Sequence, residues 1–260
     1  MSRIRKILLY SLGETRYLRL LAGSFQQFYK TGSLGVDYQD IYFLKEFLKP
    51  GDCCIDIGAH LGYFTIELSR IVGTNGHVYA IEPMTKFFNT LKGVVSRKNR
   101  QNITLHQVAM GGETEYVEMG IPQVANVKKF AYARVIKTST FLEYVESEKV
   151  KNVSGDKMFS DLPRIDFIKA DVEGLELSVF RSFLQVIGTH KPIILCELGD
   201  PTERKNLLEL LSPFSYSLYY LENKKLRPLR PESPVHTVSH NHYFIPESRR
   251  AGLQHLISAQ

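Results

Sequence analysis

Three cysteines in 260 residues, Cys53, Cys54 and Cys196, are too few and too unevenly spread for a disulfide framework. Neither a C-x-x-C pair nor a Cys/His zinc spacing occurs, so no metal site is expected from soft ligands, and a reducing cytoplasm is the expected compartment. No apolar run has the length of a signal-peptide core or a membrane span. Ile7-Leu-Leu-Tyr10 follows Arg3, Arg5 and Lys6 but is too short for either, and it reads as part of an amphipathic helix. No repeat, low-complexity tract or Pro/Gly/Ser linker divides the chain. The expectation is one domain over residues 51–260, preceded by a helical extension over residues 1–50.

A formal net charge of +6 raises the question of a nucleic-acid partner, and the location of the charge answers it. Residues 51–200 carry 17 Lys/Arg against 18 Asp/Glu, whereas residues 1–50 carry 8 against 4 and residues 201–260 carry 8 against 5. The positive excess is in the flanks. A near-neutral middle does not offer a phosphate-binding face, so nucleic acid is not the expected partner.

What the chain does have is alternation. Cys53 to Ile57, His77 to Ile81, Ile103 to Met110, Ile165 to Ala170 and Ile193 to Leu198 are apolar runs of strand length, as expected for strands covered on both faces. Between them lie helical patterns over Tyr63 to Ile71, Met84 to Lys98, Leu175 to Ile187 and Thr202 to Leu211. Leu175, Val179, Phe183 and Ile187 recur every four residues and predict one helix laid on a sheet. Strand and helix in alternation predict a parallel α/β sheet. Thr114 to Met119 alternates instead, and with Arg134 to Lys137 it predicts added antiparallel strands. Tyr216 to Leu221 and His242 to Ile245 read as two closing strands joined by a polar, proline-bearing loop.

The glycine loop Asp56-Ile-Gly-Ala-His-Leu-Gly62 leaves the first strand where open α/β sheets bind cofactors. Its spacing is G-x-x-x-G rather than the G-x-G-x-x-G of dinucleotide sites, and a carboxylate at Asp56 would repel a pyrophosphate. S-adenosylmethionine suits it better, because an acidic pocket attracts a sulfonium and an ammonium. Glu82 stands at the tip of the second strand, where a carboxylate can accept both ribose hydroxyls. The third strand ends in Gln107-Val-Ala-Met110, an apolar tip suited to an adenine. The competing reading is that Asp56 and Glu82 are helix caps and Gly58 serves only a turn.

Lys49-Pro-Gly-Asp52, Ile55-Asp-Ile-Gly-Ala-His-Leu-Gly-Tyr-Phe-Thr65, Ile81-Glu-Pro83, Val108-Ala109 and above all Phe167-Ile-Lys-Ala-Asp-Val-Glu-Gly-Leu-Glu176 resemble the FkbM family of S-adenosylmethionine-dependent methyltransferases. The resemblance covers about residues 40 to 200 and departs from the family at His60, where Asn is more usual. It implies a Rossmann-like class I methyltransferase sheet, mostly parallel with an antiparallel last strand and helices on both faces. It also implies O-methylation of a hydroxyl on a sugar, glycan or natural product. The expected cofactor contacts are Asp56, Gly58, His60, Gly62, Tyr63, Glu82, Val108, Ala109 and Asp171.

The residues at the far edge fit such chemistry on their own terms. Lys169 and Asp171 alternate to one side of a strand, Glu173 lies just beyond its tip, and Glu197 ends the next strand. Clustered carboxylates repel one another, so one can act as a base near neutral pH. Asp171 or Glu173 is the expected base, with Lys169 orienting a carboxylate or the substrate. A divalent ion on Asp171, Glu173 and Glu197 is a competing idea, and so is an inert network in which these acids cap the next helix, since Glu173 and Glu176 have capping-box spacing. No Asn/Asp-Pro-Pro-aromatic turn follows this strand, which excludes the usual grip on a nucleobase amine.

In the closing loop, Arg227, Arg230, His236 and His240 are expected, with Glu197, to rim the acceptor site and to favour an acidic acceptor. His236, His240 and His242 gain no support as a metal site from a second ligand cluster. The aromatics of the extension, among them Tyr10, Tyr17, Phe25, Phe28, Tyr29 and Tyr38, predict packing over the sheet edge or the cofactor, with peripheral membrane contact as the alternative. A non-catalytic ligand-binding module on the same fold and a methyltransferase of another acceptor class are the alternative readings.

Overall fold

The computed structural model describes residues 3–35, 38–125, 127–136, 142–233 and 240–258. In chain order, α1 (Arg3–Lys30) and α2 (Gln39–Phe43) precede β1 (Cys53–Ile57), α3 (Tyr63–Val72), β2 (His77–Ile81), α4 (Thr85–Arg97) and β3 (Ile103–His106). Five strands follow, with no α-helix between them among the described residues: β4 (Ala109–Met110), β5 (Tyr116–Val124), β6 (Val127–Lys128), β7 (Arg134–Val135) and β8 (Glu143–Val153). The alternation then resumes with α5 (Gly155–Phe159), β9 (Phe167–Ala170), α6 (Glu176–Arg181), α7 (Leu184–His190), β10 (Ile193–Glu197) and α8 (Pro201–Leu211). The chain closes with β11 (Tyr216–Glu222), β12 (Lys225–Pro228), β13 (Asn241–Pro246) and α9 (Glu247–Arg250).

Eight strands form the main sheet in the order β12-β11-β13-β10-β9-β1-β2-β3. β1 pairs in parallel with β2 and β9, β9 with β10, and β2 with β3, while β13 runs antiparallel to both β10 and β11. This is the expected Rossmann-like sheet with its antiparallel strand. The order reverses at β1, so the carboxyl ends of β1 and β9 diverge there and leave a crevice.

Alternation along β1 decides what meets what. Ile55 and Ile57 pack with Phe159, Phe180 and Phe183 on one face, and Cys54 packs with Phe43 and Leu68 on the other. Asp56 shares the Cys54 face by the two-residue period, and its Cα is in register with that of Lys169 on β9. A carboxylate and an ammonium are thereby placed on one buried surface.

The predicted single strand from Ile103 to Met110 is two. β3 ends at His106, and Ala109–Met110 turns away to pair with β8 through Ala109↔Asn152 and Met110↔Val153. The predicted helix from Leu175 to Ile187 is also two, α6 and α7. At the break the Ser182 carbonyl accepts the Asp156 N–H at 2.7 Å, and the Ser182 hydroxyl accepts the Gly155 N–H at 3.1 Å. The start of α5 is docked into the gap, while Val179, Phe183 and Ile187 stay fully buried as the four-residue stripe requires.

The added strands make a second sheet, in which Met119 and Gly120 of β5 face Val135 and Arg134 of β7 as expected and the long, charge-rich β8 pairs with β5. The extension buries Tyr17, Leu18, Ala22 and Phe25 and leaves Tyr10 and Phe28 exposed. Glu14 of α1 pairs with Lys86 of α4 and Lys128 of β6, and Glu146 of β8 pairs with the same two lysines. Extension, main domain and second sheet are thus joined by one charge network. No helix among the described residues is long and apolar enough to cross a membrane.

Candidate active site

A cleft of about 510 Å³ opens at the carboxyl ends of β1, β2, β9 and β10. The turn after β1 shapes it. Gly58 has φ +77°, and its N–H and that of Ala59 both donate to the Ile81 carbonyl. A Cβ at Gly58 would stand 1.9 Å from the Asp171 carbonyl oxygen, so only glycine lets the loop lie against the turn after β9. Gly62, with φ +86°, starts α3, and a Cβ there would press on Leu91 at 2.7 Å.

Asp56 is completely buried. One oxygen accepts a hydrogen bond from the Thr65 hydroxyl at 2.5 Å and the other faces Lys169 Nζ at 3.8 Å; burial pushes its carboxyl pKa upward against the pull of the lysine. Lys169 is itself buried. Its Nζ donates to Asp171 Oδ2 at 3.2 Å and to the Gly58 carbonyl at 3.3 Å, and lies 5.2 Å from the centre of the Phe64 ring. Burial opposes its charge, but Asp171 and Asp56 outweigh that and raise its pKa, so it stays protonated. Lys169 ties β1, β9 and the glycine loop together.

Glu82 does more than end β2. Its two oxygens accept the His60 N–H at 2.9 Å and the Met84 N–H at 3.0 Å, and burial raises its pKa to about 7. It does not cap α4, whose N-cap is Met84 with no side-chain bond. Each oxygen keeps further accepting capacity in the cleft. His60 holds a left-handed backbone, φ +48°, and its ring packs 4.4 Å from that of Phe87. Burial lowers its pKa to about 4, which keeps it neutral. Tyr63 stacks on Phe25 of α1 at 3.8 Å between centroids, and Tyr63, Val108 and Ala109 all line the cleft.

At the opposite edge, the Asp171 N–H donates to the Ile57 carbonyl at 3.1 Å. Glu173 has φ +57°, and its Oε2 receives Arg134 of β7 at 2.7 Å. Burial and the neighbouring Asp171 raise Glu173 to about 7. Burial, with Asp171 next, raises Glu197 to about 7 as well. Glu176 accepts the N–H groups of Val172 and Gly174 and so fixes the turn on which Asp171 and Glu173 stand. The capping alternative does not hold here, because α6 is N-capped at Leu175 without a side-chain bond. Among the described residues no cluster of three or more His, Cys, Asp or Glu is arranged to hold a metal ion.

The closing loop departs from expectation. Lys225–Pro228 is strand β12 on the outer edge of the sheet, where Arg227 pairs with Glu222 at 3.1 Å. Arg204 of α8 donates to the carbonyls of Pro231 and Ser233 and draws the following segment onto that helix. Arg227 and Arg230 are therefore not among the residues that line the cleft, whereas His240 is, with Asn241 beside it. His236 lies outside the described residues. His242 is buried, with Nδ1 at 2.8 Å from the His240 carbonyl. Tyr38 of the extension lines the cleft, as expected of its aromatics, and two contributors went unread in the sequence: Phe130 and Tyr132, on the turn between β6 and β7. Arg134 joins them through Glu173. Their only signal was aromatic residues in otherwise polar surroundings.

The chain is similar to known methyltransferases. A curated protein of Beauveria bassiana (strain ARSEF 2860) named Methyltransferase 1 is 25% identical over 178 residues, 60% of this chain and 69% of that protein. The crystal structure of methyltransferase FkbM from Methylobacillus flagellatus KT superposes with a TM-score of 0.49 at 23% identity, covering 80% of this chain but only 47% of that one. An S-adenosylmethionine-dependent O-methyltransferase of Thermotoga maritima gives 0.42 at 13% identity, over 79% of this chain and 63% of that one. The family model for the methyltransferase FkbM domain matches residues 56–227, from the carboxylate that ends β1 to the edge strand β12. That match takes in most of the chain, and the protein belongs to the FkbM methyltransferase family.

Proposed function

We propose that the cleft binds S-adenosylmethionine and that the protein methylates a hydroxyl of a sugar, glycan or natural-product acceptor. The observation that carries this reading is the gathering of Asp56, Glu82, Asp171, Glu173 and Glu197 around one buried cation, Lys169. Such an excess of negative charge favours a cationic ligand and disfavours a pyrophosphate. When bound, S-adenosylmethionine supplies an electrophilic methyl group on its sulfonium.

The residues present fit that group. Glu82 can accept ribose hydroxyls, and Val108, Ala109 and Met110 provide an apolar surface for an adenine. Lys169 holds Asp171 and the Gly58 carbonyl in place and so keeps the glycine loop shaped. A sugar hydroxyl is a poor nucleophile until its proton is drawn away, and that task falls to Glu173. Asp171 is already paired with Lys169, whereas Glu173 stands at the tip of the turn with a pKa near neutral. Oε1 of Glu173 would take the hydroxyl proton, while the acceptor oxygen would take the methyl from the sulfonium and leave it as the neutral thioether. With Arg227 and Arg230 away from the cleft, an uncharged, hydroxylated acceptor suits the carboxylate edge better than an acidic one.

The test is transfer of labelled methyl from S-adenosylmethionine into fractionated metabolites and glycans of cells lacking the gene. The expected product is one methylene heavier than its precursor at a single hydroxyl. Label that enters only amines or nucleobases would overturn the reading.

A further inference from the structure

We propose that Arg134, delivered by the second sheet, is the positioning residue for the base: its guanidinium fixes Glu173 Oε2 and so directs Oε1 at the acceptor hydroxyl. The inference rests on the methyl-transfer reading above but adds a residue that lies outside the main sheet.

The geometry is specific. Arg134 and Glu173 are separated by 39 residues and meet at 2.7 Å, with side chains only 27% and 21% exposed. Arg134 is held by its strand, since β7 pairs with β5 through Gly120↔Arg134 and Met119↔Val135. Gly120, directly opposite, lets the Tyr144 ring and Ile136 close over β5 beside this pairing: a Cβ there would come within 2.5 Å of the ring and 2.9 Å of Ile136. Arg134 Nε also donates to the Tyr132 carbonyl, which orients the fork. Glu173 for its part has a left-handed backbone, a conformation that a non-glycine residue keeps only where its surroundings hold it.

The charges around Glu173 give the pair a second effect. Burial disfavours its ionised form most, Asp171 on the same turn and Glu176 of α6 repel it further, and Arg134 opposes all three. Glu197 and Lys169, on the neighbouring strand ends, complete the set of charges at this edge of the cleft. Without Arg134 the carboxyl would stay protonated to higher pH, and a smaller fraction of it would be ionised and able to accept a proton at neutral pH. One arginine thus sets both the direction and the readiness of the base.

The experiment is a carbon-13 titration of the full chain labelled at glutamate carboxyls and saturated with S-adenosylhomocysteine, with the Glu173 signal assigned by its loss in Glu173→Gln. Arg134→Gln should move the Glu173 midpoint upward by about one pH unit or more. Arg134→Lys should move it the same way by less. Affinity for S-adenosylhomocysteine should stay unchanged in both. With the acceptor fraction found by labelling, kcat of Arg134→Gln should fall about tenfold on the acid side and recover as the pH is raised, with KM for S-adenosylmethionine unaltered. An unchanged midpoint overturns the role of Arg134, and so does a loss of activity that is equal at every pH. If Arg134→Gln does not fold, Arg134→Lys decides alone, and no movement in it overturns the proposal. Failure of the wild type to bind S-adenosylhomocysteine would instead strike the methyl-transfer reading itself.

Discussion

Gly58 and Asp171 stand so close that a single added methyl group on the glycine would lie 1.9 Å from the aspartate carbonyl oxygen. The glycine loop and the turn that carries Asp171 and Glu173 are therefore one rigid unit. Gly58→Ala should force them apart and also strain a residue at φ +77°. The expected outcome is at least a tenfold loss of S-adenosylhomocysteine affinity in calorimetry with the fold retained by circular dichroism. Unchanged affinity would show that the contact does not shape the cofactor site.

Lys169 compensates two carboxylates, one of them completely buried. Lys169→Met leaves Asp56 without its counter-charge, and removing one partner of a buried pair costs about 3–5 kcal/mol. Thermal unfolding should show a fall of several degrees. Adding Asp56→Asn should recover part of it, because the orphaned charge is gone. A double variant no more stable than Lys169→Met would contradict this role.

Glu82 makes a stability prediction with a definite sign. Its folded pKa, about 7, lies above the ordinary 4.5, so the folded state holds its proton more tightly than the unfolded chain does. Ionisation therefore destabilises the fold progressively as pH rises from about 4.5 to about 7. Glu82→Gln cannot ionise. Its stability relative to wild type should climb through that window by on the order of 3 kcal/mol, on top of a constant loss from weakened backbone bonds. Denaturant unfolding at pH 4.5 and 7.5 reads the difference directly, and a flat difference would contradict the assignment.

The neutral ring of His60 packs on Phe87, whose ring meets that of Phe130 edge-on at 6.3 Å between centroids. His60→Ala should loosen residues 127–136 while leaving β1 intact. Hydrogen exchange should accelerate in that segment by about tenfold or more as the packing through Phe87 is lost. Exchange that stays slow there, or that speeds equally across β1, would show that the ring does not hold the segment.

How far this site could be read from the chain alone depended on whether its parts are local. Asp56, Gly58, Gly62 and Glu82 belong to strand ends and turns written in contiguous residues, and the period of two put Lys169 and Asp171 on one side of β9, as observed. Arg134 left no such trace, because it reaches Glu173 only through the pairing of β7 with β5. The same reason explains the misplacement of Arg227. A polar stretch with a proline reads as a loop, and only its pairing with β11 makes it an edge strand and carries the arginine away from the cleft. The break between α6 and α7 was hidden too, since the four-residue stripe continues unbroken across it.

The most direct test of the central claim is titration calorimetry of S-adenosylhomocysteine into the wild-type chain and Gly58→Val. The account predicts one site per chain in the wild type, with binding lost in the variant as the larger side chain drives the loop from Asp171. No binding to the wild type, or equal binding to both proteins, would contradict it.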